Sequence, residues 1–251
     1  MYSRLSYDNG YAPISDMANL NQNMLMDIGV YTLEDKNLEF YENEKEMAIL
    51  LLEGKITISW KGVSESASRT NVFDEMPFCL HVPKQVKVVV RFEGKAQILV
   101  QKTDNDKEFE CKLYTQSELK EEAAGADFME GTAKRLIRTI FDYSNAPYSN
   151  MVLGEVIAEQ GRWSSYPPHY HDQPEVYYYK FDKPQGFGCA MIGDNAYKVY
   201  DHSYIAIPGG LTHPQATAPG YRMYFCWMIR HLEGNPWNQR IFDTDHEWMM
   251  K

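Results

Sequence analysis

The residues best suited to chemistry lie in segment 167–175, which reads PPHYHDQPE. Side chains on a strand alternate between its two faces, so His169 and His171 point the same way. Glu175 is an even number of residues beyond His171 and returns to that face if the intervening bend is small. A third histidine, His213, ends the segment PGGLTH. We expect the three imidazoles and the carboxylate to converge on one face.

Such a group of side chains forms a donor set of three nitrogens and one oxygen. This set suits zinc, manganese, iron, nickel or cobalt, and it does not by itself choose among them. The alternative is that these are ordinary core or surface histidines, against which the spacing of all four residues argues. We therefore predict one bound divalent metal ion with these ligands: His169, His171, Glu175 and His213.

Short strands must position these ligands. Aromatic residues make up 14% of the 251 residues and 18 of them are tyrosines, a composition that favours half-buried strands. Apolar residues alternate in several runs, as at Ile56, Ile58 and Trp60. The residues that interrupt these runs are Gly54, Gly62, Pro83 and Gly94. The pattern predicts an all-β sandwich or barrel with few short helices.

The chain divides into two similar halves. Residues 102–131 are charged and then rich in Ala and Glu, and we interpret them as a link in which Ser117 could cap a short helix. Segment 46–51 resembles 175–179, and 78–83 resembles 204–208, at offsets of about 125–129 positions. A consistent offset indicates a tandem duplication, with chance similarity of apolar strands as the competing explanation.

The two ends of the chain differ in character. Residues 1–24 read as an irregular lead-in, whereas the tail, NPWNQRIFDTDHEWMM, is aromatic. We expect this tail to pack back onto the body of the protein.

The spacing HxHxxxE, followed about 40 residues later by PxGxxH, resembles the cupin family. This resemblance implies tandem jelly-roll-like β-barrels, a bicupin, with the four ligands inside the C-terminal barrel. The first half has no HxH before Glu46. By resemblance, residues 1–115 form a degenerate cupin without a metal site and residues 116–251 form the metal-binding cupin.

Longer stretches resemble the 5-deoxyglucuronate isomerase family of bacterial inositol catabolism. These stretches are GRWSSYPPHYHD (161–172), EVYYYKFDKPQGFG (175–188), HPQATAPGY (213–221) and DTDHEW (243–248). The resemblance implies a metal-dependent aldose–ketose isomerase that converts 5-deoxy-D-glucuronate to 2-deoxy-5-keto-D-gluconate. The chain departs from the family in a shorter segment before Glu175 and a tighter hairpin at 192–195, at the barrel mouth, where substrate choice is usually set.

An isomerisation of this kind moves a proton or hydride between adjacent carbons. A divalent metal bound to the carbonyl would stabilise the developing enediolate as a Lewis acid. The sequence leaves the base open among these candidates: Glu175, Tyr177, Tyr179, Lys180 and, in a turn, His202. The two tyrosines are equally well explained as aromatic residues that line a barrel.

A sugar-acid carboxylate calls for a guanidinium, which can bind both of its oxygens. The candidates are Arg135, Arg162 and Arg222, any of which could instead be a solvated surface charge. Trp163 and Gln185 lie inside the shared motifs and could shape the substrate pocket, as could Ser164 and Ser165. All four could equally be structural, with the two serines capping backbone groups before the Pro-Pro segment.

The composition of the chain limits its binding partners and its cellular location. The net charge of -10 and the lack of a Lys/Arg run argue against nucleic acid. No apolar stretch reaches the ~18 residues of a membrane span, and the N-terminus has no secretion signal, so we expect a cytoplasmic protein. The four cysteines show no CxxC spacing and are expected to be reduced. Edge strands of such barrels can pair between chains, which makes a homodimer one arrangement that the sequence allows.

Other functions fit the same ligands. A cupin oxygenase could hold Fe²⁺ with open positions for O₂. A non-catalytic sugar-binding bicupin would bind a small-molecule sugar acid without turnover. The isomerase, epimerase or lyase of another uronate is a third alternative.

Overall fold

The computed structural model describes residues 2–250, and nearly all of its regular structure is β. The strands are, in chain order, β1 (Tyr2–Arg4), β2 (Tyr11–Ser15), β3 (Asp27–Glu34), β4 (Asn37–Phe40), β5 (Lys45–Trp60), β6 (Val63–Arg69), β7 (Phe78–Val82), β8 (Val88–Asp104), β9 (Lys112–Tyr114), β10 (Glu122–Ala124), β11 (Arg135–Phe141), β12 (Met151–Ala158), β13 (Trp163–Ser164), β14 (His169–Tyr170), β15 (Glu175–Phe181), β16 (Phe187–Ile192), β17 (Asn195–Tyr200), β18 (Ser203–Ile207), β19 (Gln215–Thr217), β20 (Met223–Arg230) and β21 (Ile241–Phe242).

Helical structure within residues 2–250 is limited to short 3-10 segments: Gln22–Met24, Met129–Gly131 and Thr244–Met250. The prediction of an all-β chain with few short helices is confirmed. The prediction of a short helix after Ser117 is wrong. The chain forms a turn at this point, in which the Glu118 amide donates to the Thr115 carbonyl. None of the helices in the described part of the chain is long and apolar enough to cross a membrane.

The chain separates into two compact units. The first, which we call the N-terminal unit, comprises Ser6–Leu119 and Ala146–Asn150. The second, which we call the C-terminal unit, comprises the residues up to Leu5, then Lys120–Asn145, and the chain from Met151 onward. Part of the expected lead-in is therefore ordered strand, since β1 pairs with β18 in the C-terminal unit.

The N-terminal unit is built on one sheet with the strand order β2-β3-β8-β5-β7-β9, to which β4 and β6 add by pairing with β8 and β5. Its two longest strands, β5 and β8, run through the glycines that were expected to interrupt them. Gly54 has a φ of +94°, and a Cβ there would lie 2.5 Å from Ala96 Cα. The pairing register shifts on both sides of Glu53. The glycine thus permits a bend inside one continuous strand.

Apolar side chains fill the interior of the N-terminal unit. Met47, Ile49 and Leu51 share one face of β5, as period-two alternation requires, and each is at most 1% exposed. They pack with the inward residues of β7 and β8.

The C-terminal unit contains a seven-stranded sheet, β1-β18-β15-β20-β12-β11-β10, and a four-stranded sheet, β13-β19-β16-β17. Strand β15 lies between β18 and β20. The core forms from inward residues of both sheets, among them Tyr177 and Tyr179 of β15 and Ala190 of β16. Glu175 lies at the start of β15 on the same face as these tyrosines. The fold therefore directs this carboxylate into the interior.

Candidate metal centre

The structure brings the four predicted ligands together at one end of the C-terminal unit. His169 lies on β14, Glu175 begins β15, and His213 lies between β18 and β19. The Glu175 Oε2 atom is 3.3 Å from His171 Nε2 and 3.2 Å from His213 Nε2. The ring of His169 meets that of His213 edge-on, with centroids 5.1 Å apart. Within residues 2–250, His171, Glu175 and His213 form the one group of ligand atoms close enough to hold a metal ion.

Backbone carbonyls fix the orientation of each imidazole. The Nδ1 atoms of His169, His171 and His213 each lie 2.9 Å from a carbonyl oxygen, those of Pro167, Gln173 and Leu211. A carbonyl oxygen can only accept, so Nδ1 carries the proton in each ring. The Nε2 atom of each ring is then left with its lone pair, which is the state required of a metal ligand.

This protonation pattern supplies a test of whether a metal fits. At His171 and His213 the Nε2 lone pair faces the Glu175 carboxylate, which is also only an acceptor. Lone pairs at 3.2–3.3 Å repel one another unless a cation lies between them. The arrangement of His171, Glu175 and His213 is therefore complementary to a positive charge. With His169 beside this group, the donors suit a divalent metal ion.

Burial keeps His169 and His213 neutral. Burial and the neighbouring His213 lower the pKa of His169 to about 3. Burial likewise lowers the pKa of His213, although Glu175 acts in the opposite direction. Both rings are therefore uncharged at neutral pH and available as ligands without first losing a proton.

In metal-free protein we expect His169 to make the free energy of unfolding rise with pH between about 3 and 6.5. The unfolded imidazole titrates near 6.5 and the folded one near 3, so the unfolded state binds more protons between these values. The loss of stability caused by His169 begins as the pH falls below 6.5 and is complete below 3. Between these values the free energy of unfolding changes by at most about 1.4 kcal/mol per pH unit. Urea unfolding of chelator-treated protein at pH 7 and 5 measures this effect. The free energy of unfolding should change less between the two pH values in His169→Gln than in the wild type. An equal change in both proteins would contradict the prediction.

Close backbone contact positions His213. A Cβ on Gly209 would lie 1.8 Å from the Asp172 carbonyl oxygen, so only glycine permits this approach. The next residue, Gly210, donates its amide to the His171 carbonyl at 2.8 Å. The Pro-Gly-Gly turn therefore lies directly against the segment that carries the other histidines.

A cavity opens beside the four ligands. Its other lining residues are Arg135, Ile137, Val156, Ser164, Ser165, Tyr177, Phe225, Trp227, Trp237 and Arg240. Of the residues predicted to contact the substrate, Arg135, Ser164 and Ser165 line this cavity. Trp237 and Arg240 were missed by the sequence analysis, although the aromatic tail that carries them was expected to pack back.

The candidates for the base lie in different surroundings. Tyr177 lines the cavity, with its hydroxyl 3.1 Å from Ser165 Oγ. Burial and then the Glu175 charge raise its pKa well above the usual value, so it is a neutral phenol at neutral pH. Tyr179 is fully buried away from the cavity lining and donates to Gln215 Oε1 at 2.5 Å. Lys180 occupies the opposite face of β15.

The other predicted residues do not line the cavity. Trp163 pairs with Ala216 and packs against Tyr166, with ring centroids 5.3 Å apart. Gln185 is exposed in the turn before β16. Arg162 and Arg222 lie in connecting segments, each partly exposed. The Nδ1 atom of His202 lies 2.8 Å from the Tyr178 hydroxyl, and the His202 side chain is 37% exposed.

Two antiparallel β units, one with three histidines and a glutamate gathered in its interior, define a tandem cupin. The chain belongs to the KduI/IolB family, whose sequence profile matches residues 3–249. The sequence prediction of this family is confirmed.

Two curated relatives are both named 5-deoxy-glucuronate isomerase. The protein from Geobacillus kaustophilus is 28% identical over 243 residues, which cover 88% of this chain and 84% of that protein. The protein from Shouchella clausii is 26% identical over 247 residues, with coverage of 90% and 86%. With the family match, these relatives identify the chain as an isomerase.

Solved structures support the fold. An IolB-like protein from Salmonella typhimurium LT2 superposes with a TM-score of 0.89 at 22% identity, covering 100% of this chain and 99% of that one. Oxalate decarboxylase from Lactobacillus farciminis superposes with a TM-score of 0.68 at 10% identity, covering 96% and 88%. At these identities the likeness concerns the fold alone.

Proposed function

We propose that this isomerase is metal-dependent and converts 5-deoxy-D-glucuronate to 2-deoxy-5-keto-D-gluconate. The names of the curated relatives support the substrate. The observation that carries the proposal is the geometry at Glu175, whose carboxylate meets two imidazole lone pairs at the edge of a cavity. A cavity of this kind lets an ion held by the protein also contact a small molecule.

The metal would be held by His169, His171, Glu175 and His213, and zinc, manganese, iron, nickel and cobalt all suit these donors. When bound, it would supply Lewis-acid polarisation of a substrate carbonyl. The backbone carbonyls that accept from Nδ1 keep the rings oriented for this task.

Proton transfer falls to the two side chains of β15 that line the cavity. Glu175 carries the one carboxylate among the described lining residues, so it is the base that we propose. Tyr177 lies beside Glu175 on the same face of β15, and its raised pKa means that it retains its proton at neutral pH. Its Oη–H is therefore placed to donate toward a substrate oxygen on which negative charge develops.

The test uses protein stripped with chelator and reloaded with each of the five metals. We expect anaerobic conversion of 5-deoxy-D-glucuronate to its keto isomer, followed by NMR, only in reloaded protein. Stoichiometric metal binding without turnover would refute the substrate and point to another uronate or to a sugar-binding role. Turnover that requires and consumes oxygen would instead identify an oxygenase.

A further inference from the structure

The C-terminal segment lies across the strand that bears the first metal ligand. Strand β21 pairs with β14, so that Phe242 is opposite His169, and their rings are 5.8 Å apart. The Asp243 amide donates to the Pro168 carbonyl at 2.9 Å. At its other end the segment is held by Asn235, whose carbonyl accepts from Gln173 Nε2 at 2.7 Å. We call residues 235–243 the strap.

The strap brings two side chains to the cavity, Trp237 and Arg240. The Trp237 ring packs against the Trp227 ring, with centroids 5.7 Å apart. The backbone amide of Trp237 donates to His231 Nδ1 at 2.8 Å. Arg240 differs, because it has no hydrogen bond or ion pair with any residue from 2 to 250. An anchored strap thus holds an unpaired guanidinium at the mouth of the cavity.

A second guanidinium reaches the same cavity from β11. Arg135 is only 9% exposed, and its Nη1 donates to the Ala133 carbonyl at 2.9 Å. No carboxylate in the described part of the chain lies within ion-pair distance of it. Both guanidinium groups line the same cavity, and burial, followed by the charge of Arg240, lowers the pKa of Arg135. A buried cation without an anionic partner is costly, and a second one nearby adds to the cost.

Neither of these two arginines forms an ion pair with an acidic side chain of the described residues. Glu175 carries the one acidic side chain among the described residues that line the cavity, and the proposed metal would neutralise it. We propose that Arg135 and Arg240 form the subsite that binds the carboxylate of the sugar acid, with Arg240 delivered by the strap. This inference rests on the proposed function, since a uronate places its carboxylate at the end of the carbon chain opposite its aldehyde. Guanidinium groups bind carboxylates through paired N–H donors, so both Arg135 and Arg240 suit this role.

Arg240→Gln carries the test, because Arg240 is exposed and its loss leaves no buried group behind. We expect KM for 5-deoxy-D-glucuronate to rise roughly 10- to 100-fold, the loss of a charge-assisted hydrogen bond, with kcat changed far less. Arg240→Lys should recover part of the loss. Metal content should stay at the wild-type value in both variants. Arg91→Gln, at a 61% exposed arginine of the N-terminal unit, is the matched control and should leave KM unchanged.

A binding measurement separates this inference from the proposed function. Titration calorimetry of metal-loaded protein should show D-glucuronate binding more tightly than D-glucose, which lacks the carboxylate, and Arg240→Gln should erase that preference. If the wild type binds D-glucuronate in this way but does not isomerise 5-deoxy-D-glucuronate, the subsite stands and the proposed substrate fails. If the wild type isomerises its substrate and Arg240→Gln keeps the same KM and preference, the subsite is overturned. No preference for D-glucuronate in the wild type would also overturn it.

Discussion

Replacing Glu175 with alanine is expected to abolish stoichiometric metal binding and to slow isomerisation roughly a thousandfold or more, the loss of several kcal/mol of charge stabilisation. The carboxylate is 3% exposed and lies within 3.3 Å of the Nε2 atoms of His171 and His213. Without it, no negative charge remains among the proposed ligands. The proposed base is lost with the ligand, so both effects act on the same reaction.

Two variants show whether the loss is specific. Glu175→Gln keeps the shape and one oxygen but removes the charge, and we expect metal binding weaker than in the wild type and turnover close to that of the alanine variant. Asp194→Asn changes an exposed carboxylate in the hairpin turn of the same unit and should leave both properties unchanged. Metal content by mass spectrometry and turnover by NMR decide the outcome. Full metal occupancy with wild-type turnover in Glu175→Ala would refute the assignment of this ligand.

The ligand set could be predicted from the sequence because three of its members are close along the chain and the fourth follows a recognisable turn. Alternation on a strand places His169 and His171 on one side, and a tight Pro-Gly-Gly turn brings His213 to them. Arg240 could not be predicted in the same way. It reaches the cavity because a two-residue strand, β21, pairs with an equally short strand, β14. Pairs this short carry no periodic signal, so their partners are fixed by tertiary packing.

The apparent repeat between the two halves of the chain shows a second limit of prediction from the sequence. The sequence similarity matches Glu46 with Glu175, but the strand pairing matches Glu175 with Met47. In the C-terminal unit Glu175 pairs with Ile207, the residue before a proline, and in the N-terminal unit Met47 pairs with Val82, also the residue before a proline. A shift of one residue exchanges the two faces of a strand. An apolar side chain therefore occupies the position of the carboxylate ligand, and Glu46 faces the other way.

Glu46 is instead the centre of a buried polar cluster within the N-terminal unit, and its side chain is fully buried. Its Oε2 accepts from His81 Nε2 at 2.7 Å and from Ser149 Oγ at 2.9 Å. Its Oε1 accepts from Asn105 Nδ2 at 3.0 Å and from the Asn150 amide at 2.6 Å. The carboxylate thus ties segment 146–150 to strands β5 and β7.

We expect Glu46→Ala to lower the free energy of unfolding of the N-terminal unit by about 3–5 kcal/mol, because removing one partner leaves the buried donors unsatisfied. Urea unfolding, with hydrogen exchange of peptides from β5 and β7, measures the change. Glu44→Ala, at an exposed neighbour, should stay within about 0.5 kcal/mol of the wild type. Because Glu46 and His81 are in direct contact, replacing both should cost less than the sum of the single losses. Additive losses would show that the two residues stabilise the unit independently.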